Sequence, residues 1–433
     1  MYGLSVIVPS WSYWAAPRKL QPLWELYYAT LIEDRCPEAS VDVVDLRLPD
    51  TQNSSLVVEE RDVYFYWIMK SADANEIYDL VGDLRQKYRN SLHLAGGTHV
   101  ENCPDECEKI FDSIFIGTAE EVIVGALSDW ESGKLAARYR GSAASPFHHY
   151  GHARRSYLPS DSIVNKDHFK QHGDYLGTGA YFSRGCSFRC RFCVYNRPGK
   201  FEYRTGTQIT SEINYLKQEY GVEAVNLRDE VCIPVNPKLA KEYLEAIGNA
   251  GVTWRGQTVP FGDEDMLRLA RDSGCVELAI GVESADSDSV LEISNKPSKS
   301  LVQIRRYIEL LKKYNIKVKV CLIMGLPGES ENVLERTLHF LEEMEPDFVS
   351  VSAFDPIPGS DFFNQREEFG IAEIDDNLAK HSHLVYRYGD NEKVGLPFRY
   401  AEEAKWGRPL SRDVILENLK SVQSYLRDRN MVY

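Results

Sequence analysis

The sequence lacks long apolar runs and any excess of basic residues. No segment of its 433 residues approaches the roughly 18 continuous apolar residues of a membrane span. The N-terminal stretch MYGLSVIVPSWSYW has no basic region of the kind that begins a signal peptide. The formal net charge of −15 disfavours a nucleic-acid partner, because phosphate backbones are bound by basic surfaces. We therefore expect a cytoplasmic protein with no membrane span, and the charge leaves open only a structured RNA bound by a local basic patch.

Several familiar catalytic and covalent patterns are also missing. The nine cysteines are odd in number and irregularly spaced, which argues against a disulfide framework and predicts reduced thiols. The chain contains no G-x4-G-K-[ST] phosphate loop, no G-x-S-x-G elbow and no H-E-x-x-H. These absences exclude the P-loop nucleotide hydrolases, the serine hydrolases with a nucleophile elbow and the H-E-x-x-H zinc proteases.

Apolar runs alternate with helical patterns in the first part of the chain. Five runs read as buried strands, at residues 3–9, 41–46, 62–68, 91–97 and 113–118. Because helical stretches separate them, they predict an α/β fold that begins with a doubly wound, Rossmann-like parallel sheet.

A second alternation begins after a stretch rich in Ser, His and Gly. Its strand-like runs are residues 224–230, 276–284, 317–325 and 348–354, and parallel strands joined by helices form an open sheet or curl into a barrel. Near the C-terminus, Ile415, Leu419, Val422 and Leu426 share one helical face, and Ser411 is placed as the N-cap.

Three cysteines lie within the stretch RGCSFRCRFC, at Cys186, Cys190 and Cys193. A disulfide would leave one thiol over, zinc normally takes a fourth ligand that the neighbouring sequence does not offer, and structural cysteines seldom show this spacing. An iron–sulfur cluster held by three thiolates leaves one iron open for chemistry. The spacing favours the cluster.

The C-x3-C-x2-C motif, with Phe192 before its last cysteine and SRG before its first, resembles the radical S-adenosylmethionine (SAM) superfamily. The segments WRGQTVPFGDEDMLRLARDSGCVELAIGVES and CLIMGLPGES resemble the later strands of that family's six-stranded partial TIM-type (β/α) barrel, so the resemblance covers about residues 176–365. It implies a 4Fe-4S cluster whose open iron chelates SAM. An electron from the cluster then cleaves SAM to a 5′-deoxyadenosyl radical.

The resemblance also implies residues that contact SAM. Phe192, Val194, Tyr195 and Asn196 match the segment that packs on the adenine, Asp229 and Glu230 match contacts to the SAM amino group, and Glu283 and Ser284 match the ribose-binding position. Asp229 and Glu230 are equally suited to cap the following helix. Cys321 stands where the family has the first glycine of a G-x-I-x-G pattern, which puts a close backbone approach to adenine in doubt.

The segment HLAGGTHVENCPDECEKIFDSIFIGTAEE resembles the cobalamin-binding domain that precedes the barrel in one radical SAM subfamily. The resemblance places two loops near the corrin, formed by Gly96, Gly97, Thr98 and His99 and by Gly117, Thr118 and Glu120. No D-x-H-x-x-G occurs, so cobalamin would bind base-off without a histidine ligand. Trp67, Met69 and Lys70 stand where small hydroxyl residues are usual, which leaves open whether the corrin is blocked.

The resemblance predicts a cobalamin-binding-like domain at residues 1–130, a linker at 131–175, a radical SAM partial barrel at 176–370 and a C-terminal helical tail at 371–433. The leading hypothesis is an anaerobic, cobalamin-dependent methyltransferase. It acts on an unactivated carbon or phosphorus of a small molecule or peptide and receives electrons from a reductant such as flavodoxin or ferredoxin. A cobalamin-free radical SAM cyclase, rearrangement enzyme or lyase, and a non-catalytic iron–sulfur redox protein, are the alternatives.

Overall fold

The computed structural model describes residues 1–10, 20–48, 58–141, 146–195, 201–381 and 395–432. The chain divides into two compact units, residues 1–168 and 169–433. Among the described residues, no helix is both long enough and apolar enough to cross a membrane.

The first unit is built on a parallel sheet. Its strands are β1 (Tyr2–Val8), β2 (Ala39–Asp45), β3 (Val63–Trp67), β4 (Leu92–Gly96), β5 (Ser113–Ile116) and β6 (Arg138–Arg140). They pair in the order β2-β1-β3-β4-β5-β6 within the described part of the unit. The helices are α1 (Leu23–Arg35), α2 (Ala74–Lys87), α3 (Thr98–Asn102), α4 (Pro104–Cys107), α5 (Glu120–Glu131) and α6 (Ser160–Ile163).

Both faces of this sheet are buried. Phe65 belongs to a core cluster that includes α1 and α5, whereas the next residue, Tyr66, belongs to a second cluster that includes α2. Alternate residues of β3 therefore meet helices on opposite faces, and the predicted doubly wound sheet is confirmed. The strand β6 adds to the five predicted strands. Its sequence, RYR, contains no apolar run from which a strand could be predicted.

The second unit contains a second parallel sheet. Its strands are β7 (Gly177–Ala180), β10 (Ala224–Leu227), β11 (Thr253–Thr258), β12 (Cys275–Glu283), β13 (Lys317–Met324) and β14 (Phe348–Ala353). Two antiparallel pairs flank it, β8 (Ser183–Arg184) with β9 (Glu202–Tyr203) and β15 (Ile371–Ile374) with β16 (Phe398–Tyr400). The helices are α7 (Gly206–Tyr220), α8 (Pro237–Ala250), α9 (Glu264–Asp272), α10 (Asp288–Ile293), α11 (Leu301–Lys313), α12 (Val333–Met344), α13 (Asp361–Asn364) and α14 (Arg412–Asp428).

This sheet is the predicted partial barrel. Among the described residues its strands pair in chain order, from β7 through β10 to β14. Right-handed crossovers then put the connecting helices on one face, as in a barrel. In β13 the side chains alternate accordingly: Val318, Val320, Leu322 and Met324 are buried, and the residues between them are half-buried on the opposite face.

The carboxyl ends of these parallel strands meet at one edge of the sheet. The three-cysteine loop follows β7, Asp229 follows β10, and Glu283 ends β12. At the same edge Gly325 follows β13, and a Cβ there would contact Ile415 of α14 at 2.8 Å. The predicted final helix begins after Ser411, whose Oγ accepts a hydrogen bond from the Val414 N–H. The fold therefore collects the predicted SAM-site residues at one edge.

Gly97 offers a test of the loop between β4 and α3. Its φ is 106°, and a Cβ would lie 2.6 Å from the carbonyl oxygen of Ile68. We expect Gly97→Ala to lower the free energy of unfolding of the first unit by more than about 1 kcal/mol. Gly82 lies within α2 with open space around it, so Gly82→Ala should raise that free energy by roughly 0.5–1 kcal/mol. Denaturant unfolding followed by circular dichroism measures both free energies. Equal effects of the two substitutions would contradict the conclusion that the loop requires a glycine at position 97.

Candidate active site

Backbone amides are aimed at the sulfur atoms of the three-cysteine loop. The Phe188 N–H donates to Cys186 Sγ at 3.5 Å, and the Tyr195 N–H donates to Cys193 Sγ at 3.4 Å. The Cys193 N–H donates to the Cys190 carbonyl at 3.0 Å and closes a turn between these two residues. Amide hydrogen bonds to sulfur are among the features that tune protein-bound iron–sulfur clusters.

Neighbouring segments fix the backbone of this loop. The Arg191 N–H donates to the Ser294 carbonyl at 3.0 Å, and Asn295 Nδ2 donates to the Arg189 carbonyl at 2.7 Å. From the other side, the Phe362 N–H of α13 donates to the Arg191 carbonyl at 3.1 Å. The loop is therefore tied to the end of α10 and to α13.

The thiols fit a cluster better than a single metal ion. Burial raises the pKa of Cys190 to about 11 and that of Cys193 to about 12, so both need a cationic partner to be held as thiolates. In the described part of the chain, no three His, Cys, Asp or Glu side chains converge as ligands of one metal ion. A 4Fe-4S cluster has a different requirement, because each thiolate binds a separate iron.

Glu283 lies beside this loop in an unusual backbone conformation. Its φ is 66°, a left-handed value that costs a non-glycine residue about 1–3 kcal/mol, and the register between β12 and β13 shifts at this point. Its Oε1 accepts a hydrogen bond from Lys296 Nζ at 2.8 Å. That Nζ lies 5.7 Å from the centre of the Phe192 ring. Burial by itself lowers the pKa of Lys296, but the Glu283 carboxylate and the nearby Cys190 thiol raise it above its ordinary value.

Ser284 belongs to a second buried network at the same edge. Its hydroxyl donates to Glu329 Oε1 at 2.8 Å, and Glu329 Oε2 accepts the Gly325 N–H at 2.6 Å. Burial raises the pKa of Glu329 to about 8. Glu329 thus joins the end of β12 to the turn after β13, a role that the sequence motif did not reveal.

Asp229 and Glu230 occupy different surroundings. Asp229 is fully buried, and its Oδ1 accepts hydrogen bonds from the Phe182 N–H at 3.1 Å and from the Ser183 hydroxyl. Burial raises the pKa of Asp229 to about 7. This carboxylate therefore anchors the chain entering the cysteine loop. Glu230 is half-buried. Burial of Cys186 and Cys193 is the main cause of their raised pKa values, and the negative charge of Glu230 raises both further.

The structure thus brings Phe192, Glu230, Glu283 and the three cysteines together, while Asp229 faces the backbone behind them. Val194 and Tyr195 are half-buried in the same loop, and Asn196 lies outside the described residues. Their contacts with SAM remain predictions. Lys296 and Glu329 belong to the site as well, although the sequence analysis did not single them out.

In the first unit, the predicted Gly-Gly-Thr-His loop is closely packed. A Cβ on Gly96 would lie 2.7 Å from the Trp67 ring, and Thr98 Oγ1 donates to Met69 Sδ at 3.9 Å. His99 is buried, with Nδ1 at 3.0 Å from Ser71 Oγ and Nε2 at 2.8 Å from the Tyr78 hydroxyl. Burial lowers the pKa of His99 to about 4. Both ring nitrogens are engaged within the protein.

The next loop of this edge is held in a similar way. The Gly117 N–H donates to Glu101 Oε1 at 3.1 Å, and Thr118 beside it is half-buried. Glu120 is buried at the start of α5 and accepts a hydrogen bond from the Tyr27 hydroxyl at 3.0 Å. Because β4 and β5 are neighbours, the two predicted loops lie side by side at the carboxyl edge of the sheet.

Comparison with known proteins identifies one domain of the chain. Residues 180–341 match the Radical SAM superfamily. The chain therefore carries a radical SAM domain. A radical SAM domain uses a 4Fe-4S cluster and SAM, and the three cysteines that we expect to bind the cluster lie within the matched residues.

Two curated relatives cover much of this radical SAM protein. Bacteriochlorophyllide d C-12(1)-methyltransferase of Chlorobaculum tepidum is 27% identical over 66% of this chain, and the match spans 62% of that relative. An uncharacterized methyltransferase of Pyrococcus horikoshii is 24% identical over 78% of this chain and 77% of its own length. The matched region thus covers less than two thirds of the first relative.

Two solved structures of TsrM, a radical SAM methyltransferase from Kitasatospora setae, share the fold. One, with tryptophan substrate and a SAM analogue bound, aligns with a TM-score of 0.66 and 15% identity over 86% of this chain and 77% of that one. The other, with cobalamin and a 4Fe-4S cluster bound, aligns with a TM-score of 0.63 and 14% identity over 85% and 78%. At these identities the likeness shows a shared fold.

Replacing Cys186, Cys190 and Cys193 together by Ala should abolish cluster binding, because no thiolate ligand would remain in the loop. Anaerobically reconstituted wild-type protein should be brown, with iron and sulfide in equal amounts, whereas the triple variant should contain neither. Cys36→Ala is the control, since Cys36 is buried in the core of the first unit and should not affect the cluster. About one zinc per chain without iron would contradict the assignment.

Glu329 predicts a pH dependence of stability. Because its folded-state pKa is raised, the protonated form stabilises the fold at low pH, and this contribution is lost as the pH rises from about 4.5 to about 8. Relative to Glu329→Gln, the wild type should lose up to about 1.4 kcal/mol of unfolding free energy per pH unit across this window.

Denaturant titrations of both proteins across this pH range measure the difference. Glu245→Gln, on an exposed part of α8, is the control and should follow the wild type. Parallel curves for the wild type and Glu329→Gln would show that Glu329 does not titrate in this way.

Proposed function

We propose that this radical SAM enzyme transfers a methyl group, in a cobalamin-dependent reaction, to an unactivated carbon or phosphorus atom of a small molecule or peptide. One observation carries the proposal: a single chain joins a doubly wound sheet to a cysteine-bearing partial barrel, and this combination aligns over 85% of the chain with TsrM holding cobalamin and a cluster. The methyltransferases among its relatives support the same reaction class.

The loops after β4 and β5 are the candidates for holding cobalamin. Gly97 and Gly117 have positive φ values, and they place backbone rather than side chains at the carboxyl edge of the sheet. Thr98 and Thr118 follow them with hydroxyl groups. When bound, cobalamin would supply a transferable methyl group. His99 is fully engaged with Ser71 and Tyr78, which supports a base-off cofactor without this histidine on cobalt.

In the partial barrel, the chain's own groups position SAM. When bound, the cluster offers an open iron to SAM and supplies the electron that cleaves it. Glu283 Oε1 is held by Lys296, which leaves Oε2 to accept a hydrogen bond from a ribose hydroxyl. The half-buried Phe192 ring supplies an apolar surface beside the loop, which helps to exclude water.

A second candidate function is cobalamin-free radical chemistry, namely cyclisation, rearrangement or bond cleavage. The packing at the edge of the first sheet favours it. The Trp67 ring lies against Gly96 and has its centroid 4.3 Å from that of Tyr28, so a bulky side chain occupies the end of β3. In that case the first unit would be a scaffold.

We also propose a cytoplasmic, anaerobic setting with a flavodoxin or ferredoxin as electron donor. A cluster with an open iron is oxygen-sensitive and needs a strong reductant. The free cysteines of both units support a reducing compartment.

Purification from cells supplied with hydroxocobalamin tests the first candidate. We expect corrin absorbance with near-stoichiometric cobalt, and methyl transfer from labelled SAM to an acceptor found by screening. His99→Gln should keep the cobalt content and the cobalt(II) spectrum of the wild type, because no histidine nitrogen is bound. Protein that stays cobalt-free while it still forms 5′-deoxyadenosine from SAM would reject methyl transfer through cobalamin and favour the second candidate.

A further inference from the structure

Lys296 is a buried cation behind the cysteine loop. It is 3% exposed, and its Nζ donates to Glu283 Oε1 at 2.8 Å. A buried ammonium without a partner is strongly unfavourable, so its position is set by the negative groups around it. Its ion-pair partner is the Glu283 carboxylate. Its Nζ also lies 5.7 Å from the ring centre of Phe192, which stands between Cys190 and Cys193 in the loop, and these two thiols also raise the pKa of Lys296.

The backbone of Lys296 is fixed to the same segment that holds the loop. Its N–H donates to the Leu291 carbonyl at 3.0 Å, directly after α10. The preceding residues, Ser294 and Asn295, make the hydrogen bonds to Arg191 and Arg189 described above. Lys296 and the cysteine loop therefore keep a constant relative position.

Gly281, two residues before Glu283 in β12, leaves room for the ion pair. A Cβ at Gly281 would collide with Glu283 Oε1 and would lie 3.0 Å from Lys296 Nζ. A side chain at this point of β12 would therefore displace the Glu283 carboxylate from its present position. The Glu283 side chain forms no other hydrogen bond to a residue in the described ranges, so its Oε2 is available to a ligand.

We propose that Lys296 is a positioning residue with two effects on the cofactors. It holds Glu283 by one carboxylate oxygen so that the other faces the SAM ribose, and it places a fixed positive charge beside the cluster thiolates that stabilises the reduced cluster. The inference rests on the cluster and SAM and not on methyl transfer.

Lys296→Met and Lys296→Arg, reconstituted anaerobically, test both effects without cobalamin or a methyl acceptor. Electron paramagnetic resonance during redox titration measures the cluster potential, and equilibrium dialysis measures SAM affinity. We expect Lys296→Met to lower the reduced-to-oxidised ratio at a given potential about tenfold, equivalent to about 59 mV for one electron. SAM affinity should fall about tenfold or more, and Lys296→Arg should restore most of both properties.

Lys241→Met is the matched control, because Lys241 lies on an exposed face of α8 and pairs with Glu245. It should change neither measurement. A Lys296→Met protein with full iron content, unchanged potential and unchanged SAM affinity would overturn the proposal. So would Lys296→Arg behaving like Lys296→Met.

Gly281→Ala keeps the proposal testable if Lys296→Met does not retain its cluster. It displaces Glu283 from Lys296 while it preserves both charges, so SAM affinity should fall with little change in potential. Gly125→Ala, in α5 with open space around the glycine, is its control. Wild-type SAM affinity in Gly281→Ala would overturn the positioning role.

Discussion

A carboxylate and an ammonium buried 2.8 Å apart at the end of β12 are stable only as a pair, because either charge alone would bear the full cost of leaving water. Several neighbouring features accompany this pair. Gly281 leaves the space that Glu283 Oε1 occupies, Glu283 adopts a left-handed backbone conformation, and the register with β13 shifts at that residue. The segment that carries Lys296 also holds the cysteine loop, so hydrogen bonds join the ion pair's segment to that loop.

The sequence was informative wherever a pattern is local. Parallel strands buried on one or both faces leave apolar runs, and the cysteines lie within eight consecutive residues, so the sheets and the cluster loop could be predicted. Lys296 and Glu329 could not. Lys296 is 13 residues from Glu283, and Glu329 is 45 residues from Ser284. Their roles depend on which strand ends become neighbours, and a single sequence does not carry that information.

Polar residues that follow strands were the hardest to assign a role from the sequence. The sequence placed both Asp229 and His99 near cofactors, yet each makes hydrogen bonds within the protein: Asp229 with the Phe182 N–H and Ser183, and His99 with Ser71 and Tyr78. A strand-end carboxylate or imidazole can serve a ligand or an exposed backbone group equally well. The outcome depends on which donors the fold leaves unsatisfied, and the motif alone does not specify them.

The two sheet edges therefore offer different chemistry. In the partial barrel, charged side chains lie beside the cysteine loop: Glu283 keeps one oxygen available, and Glu230 raises the pKa of Cys186 and Cys193. In the first unit, His99 and Glu120 make hydrogen bonds within the protein, the buried Trp67 ring packs against Gly96, and the two loops also contain glycine backbone and threonine side chains. Such an edge can recognise a ligand by shape, backbone hydrogen bonds and apolar contact rather than by charge. A large planar cofactor that takes no metal ligand from a side chain can be bound in this way. A small anion would lack a charged partner, because the described residues of these two loops include no lysine or arginine.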